Sequence, residues 1–232
     1  MKERPIIFAG ESVRAILTGR KTQTRRVIKP QPDNPETFGV SPVWGWGVRC
    51  WDSKPIPEEK RRFCVHAAFD QGGQRVDRWL PCPYGKPGDY LWVRETWQDY
   101  CPIWQGYWCG HGSQSEIQRE HRPVYRTDNP VMKPMKWCSP IYMPRWASRT
   151  TLEITDIRVQ RVQEISEEDA NAEGGDVPVA GETSGYRGRF AIRWNVINQK
   201  RGFGWDRNRW VWAISFRLLD GREHNERPEV QP

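Results

Sequence analysis

Apolar and polar residues follow two different periods along this chain, and these periods predict where helices and strands lie. Between residues 11 and 18 apolar side chains recur every three or four positions, which is typical of a helix with one buried face. Stretches 90–97 and 150–163 alternate or are rich in β-branched residues, which predicts strands. The other predicted elements are strands at 5–8, 63–69 and 210–219, a helix that begins at Ser166, and a helix at 190–199 whose apolar stripe holds Phe190, Trp194 and Ile197.

Two long stretches show no clear period. Residues 31–80 and 98–140 are rich in proline, glycine, charged and scattered aromatic residues, which favours irregular insertions. We therefore predict an α+β fold in a single domain from residue 1 to 220, interrupted by these two insertions. The polar residues 221–232 are expected to form a flexible tail.

Composition and charge narrow the classes of partner. The 232 residues carry a net charge of +7, which favours polyanions such as nucleic acid. No apolar run is long enough to span a membrane, and the first residues lack the pattern of a signal peptide. We therefore expect no membrane contact and a cytoplasmic location. The 14 tryptophans are mostly expected in the core, with base stacking as the alternative use.

The cysteines do not predict a metal site. Five residues could be combined into a zinc site, but their spacing fits none of the common templates: Cys101, Cys109, His111, His121 and Cys138. We predict free thiols, no metal and no cofactor.

A dense basic cluster follows the first helix. Within residues 19–26 lie four cations, Arg20, Lys21, Arg25 and Arg26, and two hydroxyl groups, those of Thr22 and Thr24. Gly19 suits the left-handed position that ends a helix. The strand predicted at 90–97 places Glu95 on the same face as two apolar residues, where a lone carboxylate is costly to bury. We therefore expect Glu95 to pair with a cation of the basic cluster.

The segment Gly19-Arg20-Lys21-Thr22-Gln23-Thr24-Arg25-Arg26 matches the pattern Gly-x-Lys-x-x-Thr-x-Arg. This pattern resembles the signature of the ASCH domain family. Residues 87–97, residues 142–149 and the strand beginning at Trp210 are similar to further blocks of a long phage and prophage branch of that family. The resemblance covers about 120 residues, by the extent of these four blocks.

The resemblance implies a PUA-like small mixed β-barrel flanked by helices, with a basic cleft for RNA or a modified nucleoside. Some members are amidohydrolases that deacetylate N4-acetylcytidine, and their proposed catalytic residues correspond by motif to Lys21, Thr24 and Glu95. Amide cleavage needs a nucleophile and a base, which Thr24 and a neutral Lys21 could supply. Neighbouring arginines should help Lys21 lose its proton. We expect these three side chains to meet in one pocket.

Other residues are expected to bind the nucleic acid or substrate. They are Arg20, Arg25, Arg26, Trp92, Arg94, Trp97, Arg145 and Arg149. Several alternatives stay open at this point. The basic run can be a solvated face or a phosphate contact without chemistry. Glu95 can be a structural ion-pair partner. The protein can therefore be a non-catalytic nucleic-acid-binding module or a ribonuclease, and a phage structural protein is a more distant alternative.

Overall fold

The computed structural model describes residues 1–31, 64–71, 74–101, 106–108, 122–129, 137–175 and 185–219. The fold is α+β, as predicted. The strands are β1 (Glu3–Ile7), β2 (Gln23–Val27), β3 (Cys64–Gln71), β4 (Gln74–Pro81), β5 (Tyr90–Arg94), β6 (Trp97–Cys101), β7 (Gly106–Trp108), β8 (Arg122–Tyr125), β9 (Thr151–Arg161) and β10 (Trp210–Leu218). The α-helices are α1 (Gly10–Leu17), α2 (Glu167–Ala172) and α3 (Gly185–Asn198).

The chain divides into two compact units. Unit 1 contains Met1–Arg20, Asp89–Glu153 and Arg217–Pro232, and unit 2 contains Lys21–Gly88 and Ile154–Phe216. Strands β9 and β10 each contribute residues to both units.

Unit 1 contains two small sheets. Strand β1 pairs in parallel with β5, and β5 pairs antiparallel with the first residues of β9. A second sheet has the order β7-β6-β8, with antiparallel pairing throughout. Helix α1 buries Val13, Ala15 and Ile16, which confirms the helical period read from the sequence. A separate apolar cluster packs Trp97, the first residue of β6, against Met143 and Ala147.

Unit 2 places β2 beside β10 in an antiparallel pair, with Thr24 opposite Ile214 and Arg26 opposite Trp212. Helix α3 packs Trp194 into a cluster with Val162 and Val211. Strands β3 and β4 form an antiparallel hairpin. The second half of the motif segment, from Gln23 onward, is therefore part of a paired strand.

Several sequence predictions are confirmed. The predicted strands at 63–69 and 210–219 correspond to β3 and β10 with small changes at their ends. Ser166 is the N-cap of α2, because its side chain accepts a hydrogen bond from the backbone N–H of Asp169. Gly19 and Gly174 both have a φ of +73°, the left-handed conformation expected after a helix.

Other predictions were wrong. Beyond the strand predicted at 63–69, the stretches 31–80 and 98–140 are not wholly irregular, because they also contain most of β4 and β6 and all of β7 and β8. Their proline and glycine content concealed strands whose backbones are satisfied by pairing with a neighbour. The β-barrel that the resemblance implies stays a prediction, because the described strands form open sheets of mixed direction.

The stripe predicted on α3 also needs correction. Helix α3 begins at Gly185, five residues before the predicted start. Ile197 is exposed, whereas Asn198 occupies the buried position one turn after Trp194 and donates to the Trp194 carbonyl at 3.2 Å. A polar side chain satisfies the last turn of the helix, so the apolar residue beside it faces solvent.

Candidate functional site

A turn after α1 delivers the basic segment. The backbone N–H of Gly19 donates to the Ile16 carbonyl at 2.9 Å, and that of Thr18 donates to the Arg14 carbonyl at 3.0 Å. Arg20, at the end of unit 1, is exposed, and its Nε donates to the Thr18 hydroxyl at 3.3 Å. Arg20 is therefore the most solvent-accessible cation of the motif.

Lys21 is buried, and Glu173 binds its amine through two oxygens. Its Nζ donates to Glu173 Oε2 at 2.6 Å and to the Glu173 main-chain oxygen at 2.8 Å. An isolated antiparallel bridge also pairs the backbones of Lys21 and Glu173, and the Thr22 N–H donates to the Ala172 carbonyl at 2.9 Å. The end of helix α2 is thus attached to the start of the motif strand.

Helix α2 presents an acidic face to the same segment. Asp169 and Glu173 are four residues apart, so they lie on one side of the helix. Arg25 bonds to both of them: its two terminal nitrogens lie 2.7 Å from Asp169 Oδ2 and 3.2 Å from Glu173 Oε1. Together Lys21, Arg25, Asp169 and Glu173 form what we call the Lys21 cluster.

Arg25 was predicted to bind substrate, and that role stays a prediction. Its side chain is 0% exposed, and its guanidinium also lies over the Phe190 ring, 5.8 Å from the centroid. The protein covers the whole Arg25 side chain, which links Asp169, Glu173 and Phe190 in the interior of unit 2. Thr24 is also buried on β2, whereas Arg26 is half-buried.

Burial dominates the electrostatics of this region. It lowers the pKa of Lys21, an effect that Arg26 and Arg193 increase and that Glu173 opposes. It also lowers the pKa of Arg26, which Tyr84 and Glu173 counteract. Arg26 stays charged at neutral pH because guanidinium groups do not lose their proton in proteins. Lys21 is the cation here whose charge can change.

Glu95, in unit 1, is buried beside partners that the sequence did not indicate. Its Oε2 accepts a hydrogen bond from the Thr127 hydroxyl at 2.6 Å. Arg149 donates to both carboxylate oxygens, at 2.9 and 3.3 Å, and it also pairs with Asp128. We call Glu95, Thr127, Asp128 and Arg149 the Glu95 cluster. Glu95 was expected to pair with a cation of the basic cluster, but the cation that binds both of its oxygens is Arg149, which lies outside that cluster. Only the need of the buried carboxylate for a cation is confirmed.

The strand predicted at 90–97 is interrupted at this point. Strand β5 ends at Arg94 and β6 begins at Trp97, so Glu95 lies in the break between them. Its backbone N–H donates to the Met143 sulfur at 3.4 Å. At this break the Glu95 side chain is directed to Thr127 and Arg149.

An aromatic residue supports the Glu95 cluster. Arg149 lies over the Tyr125 ring, 4.0 Å from its centroid, and the Tyr125 hydroxyl donates to the Ala147 carbonyl at 2.8 Å. Burial raises the pKa of Tyr125 to about 12, with Arg149 opposing the shift and with Glu95 and Asp128 adding to it.

The tryptophans predicted to stack on bases are covered. Arg94 and Arg145 lie over the Trp92 ring, at 4.7 and 6.0 Å from its centroid. Arg145 is also paired with Glu3 at 2.8 Å. Trp97 is buried in the core of unit 1 and makes an edge contact with Trp146 at 5.8 Å. These rings pack within the protein, so base stacking at Trp92 and Trp97 stays a prediction without support from their exposure.

The predicted site residues therefore fall into two groups. Lys21, Thr24, Arg25 and Arg26 belong to unit 2, and Arg20, Trp92, Arg94, Glu95, Trp97, Arg145 and Arg149 belong to unit 1. The meeting of Lys21, Thr24 and Glu95 in one pocket stays a prediction. Sequence reasoning missed Asp169, Glu173 and Thr127. The spacing of four between Asp169 and Glu173 was the available signal for the first two.

The prediction of free thiols is confirmed at one described cysteine and is wrong at another. Cys82 is a buried free thiol, whereas Cys138 is disulfide-bonded, so the prediction of free thiols was wrong at Cys138. In the part of the chain that the structure describes, no three His, Cys, Asp or Glu side chains are grouped to hold a metal ion. Among the described helices, none has the length and apolar character needed to cross a membrane.

Comparison with known proteins finds no similar protein. The chain matches no protein-family model, no curated protein and no solved structure. The likeness to the ASCH family consequently depends on the motif residues alone.

Proposed function

We propose that this protein is an ASCH-type protein of the cytoplasm, with a PUA-like fold, that binds RNA or a modified nucleoside. At the Lys21 cluster it hydrolyses the amide of an N4-acylated cytidine. The observation that supports this proposal is the Lys21 amine, which is buried, has a lowered pKa and is held 2.6 Å from a carboxylate. Because burial lowers the pKa of Lys21, its amine gives up a proton more readily than an exposed lysine does.

The proposed chemistry uses two groups of the motif, Lys21 and Thr24, in the roles that the resemblance implies. A neutral Lys21 takes the proton of the Thr24 hydroxyl while that oxygen attacks the acyl carbonyl. The C–N bond then breaks, and Lys21 returns the proton to the departing N4 nitrogen. Water attacks the acyl-threonine with Lys21 again as base, which releases the carboxylic acid and restores Thr24. The sum is amide plus water to cytidine plus carboxylic acid.

Arg26 and Arg20 are the cations suited to the substrate. Arg26 is half-buried and charged, so it can stabilise an oxyanion or a phosphate group near Lys21. Arg20 is exposed and can contribute to the salt-dependent attraction of a polyanion. The resemblance assigns a catalytic role to Glu95 as well, and that role stays a prediction.

A non-catalytic nucleic-acid-binding module is the second candidate. The observation that favours it is the internal pairing of the motif cations: Lys21 and Arg25 are neutralised by Glu173 and Asp169. These internal ion pairs stabilise the motif strand. Arg20 and Arg26 could then contact phosphate groups without any covalent bond being broken.

The first prediction tests the proposed reaction directly. N4-acetylcytidine, free and within RNA, is incubated with the wild type and with Lys21→Ala, and the products are separated by chromatography. We expect cytidine and acetate from the wild type and a loss of about 100-fold or more in the variant, the usual contribution of a general base. Lys86→Ala, which changes an exposed lysine of the same unit, serves as the control.

Three other outcomes would overturn the proposed reaction. Unchanged deacetylation by Lys21→Ala removes Lys21 from the chemistry. Salt-dependent RNA binding with no product indicates the binding module. Shortened RNA, lost in Lys21→Ala, indicates a ribonuclease.

A further inference from the structure

Glu173 bonds to two cations of the motif, Lys21 and Arg25. Its Oε2 lies 2.6 Å from Lys21 Nζ, its main-chain oxygen lies 2.8 Å from the same atom, and its Oε1 lies 3.2 Å from Arg25. Its side chain is 9% exposed, against 4% for Lys21. A lysine ammonium has three N–H donors, and Glu173 alone accepts two of them.

The local backbone explains why Glu173 can do this. Helix α2 ends at Ala172, and Glu173 follows as its C-cap, with its N–H bonded to the Asp169 carbonyl at 3.1 Å. Gly174 then takes the left-handed conformation and turns the chain away. The Glu173 carbonyl is left without an intrahelical partner, as the last carbonyls of a helix always are, and it is aimed at Lys21. The negative end of the helix dipole adds to the attraction for this cation.

We propose that Glu173 is the positioning residue of Lys21: its carboxylate and carbonyl fix the amine at the motif strand and govern when that amine carries a proton. This inference rests on the proposed function for its chemical meaning. Glu173 is assigned by neither the motif nor the resemblance, in which Glu95 is the acidic member. The proton-exchanging pair would then lie entirely within unit 2.

The charges that face Lys21 allow a signed expectation. Burial, Arg26 and Arg193 all favour the neutral amine, and Glu173 favours the charged one. Arg25 acts through Glu173, because it shares that carboxylate. Replacing Glu173 by the neutral isostere glutamine removes a carboxylate that opposes deprotonation. Lys21 should therefore lose its proton at a lower pH in Glu173→Gln than in the wild type.

The test measures Lys21 itself and needs no substrate. The side-chain nitrogen of Lys21 is followed by NMR against pH, and its signal is assigned by its loss in Lys21→Arg. We expect the midpoint in Glu173→Gln to fall by about one pH unit or more, the usual effect of an opposite charge in direct contact. Glu168→Gln, which changes a fully exposed glutamate of the same helix, should leave the midpoint in place.

A second variant guards against misfolding. Glu173→Asp keeps the charge but shortens the side chain by one methylene, so the midpoint should shift less than in Glu173→Gln. If deacetylation is found, the pH at which its rate rises should move with the NMR midpoint in each variant, while Glu168→Gln keeps the wild-type profile. A purely structural Glu173 would lower the amount of folded protein without moving that profile.

The two failures can be told apart. A wild type that gives no product refutes the proposed reaction, whatever the NMR titration shows. A Lys21 midpoint that is equal in the wild type, Glu173→Gln and Glu173→Asp refutes the role of Glu173, whatever the activity.

Discussion

The Lys21 cluster and the Glu95 cluster use the same kinds of side chain but bury opposite members of the ion pair. In unit 2 the cations are deepest: the side chains of Arg25 and Lys21 are 0% and 4% exposed, and the acids come from one helix. In unit 1 the acid is deepest, because Glu95 is 1% exposed whereas Arg149 is 25% exposed. The two clusters consequently differ in what can change charge.

That difference decides which cluster is suited to chemistry. A buried lysine has a lowered pKa and can give up its proton, so the Lys21 cluster contains a switchable group. The Glu95 cluster couples a carboxylate to a guanidinium, which stays protonated, and to a hydroxyl that already donates to the carboxylate. This cluster contains no lysine, so we interpret it as a structural ion pair. Arg149 is partly exposed and can still contact a ligand there.

The largest effect should come from removing the fully buried cation. Arg25→Ala leaves Asp169 and Glu173 without their shared partner in a protein interior, and breaking a buried pair in this way costs about 3 kcal/mol or more. Denaturant unfolding of the variant measures this loss. Arg158→Ala, at a half-exposed arginine that also pairs with Asp169, should cost less than about 1 kcal/mol. Equal losses of stability in the two variants would contradict the claim that the buried Arg25 contributes more than the half-exposed Arg158.

A smaller effect is expected in unit 1. Glu95→Gln keeps the side-chain volume and can still accept the Thr127 hydroxyl, but it loses the charge that pairs with Arg149. The partner is partly hydrated and retains Asp128, so we expect a loss of about 2 kcal/mol in the free energy of unfolding. Glu153→Gln removes an exposed pair with Arg217 in the same unit and should cost less than about 1 kcal/mol. If Glu95→Gln also abolishes deacetylation while folding normally, Glu95 has a catalytic part and its cluster is not merely structural.

The smallest effect should appear at high pH. Tyr125 has a raised pKa of about 12, so between pH 10 and 12 the folded state binds more protons than the unfolded chain does. Stability must therefore fall as the pH rises through this window, by roughly 1 kcal/mol at pH 11 once partial exposure is allowed for. Tyr125→Phe should show a shallower fall over the same range. If stability falls equally with pH in the wild type and in Tyr125→Phe, the Tyr125 hydroxyl is hydrated and is not buried beside Arg149.

The sequence by itself determined those elements whose signal is local. Helix α1, its end at Gly19, the cap at Ser166 and the strand from Trp210 follow from side-chain period and capping chemistry, which act within a few residues. The motif segment 19–26 was likewise recognisable from its own letters. Even the requirement that a buried Glu95 have a cationic partner followed from the cost of burying a lone charge.

Only the tertiary structure decided which charges meet. Lys21 and Glu173 are separated by 152 residues, and Glu95 and Arg149 by 54, so no local pattern links either pair. Many acidic residues in this chain could neutralise Lys21, and the sequence alone does not show which of them lies beside it. The choice among them depends on where the end of helix α2 lies beside β2, which is a property of packing. Burial, which lowers the pKa of Lys21 and covers Arg25, arises from the same long-range packing.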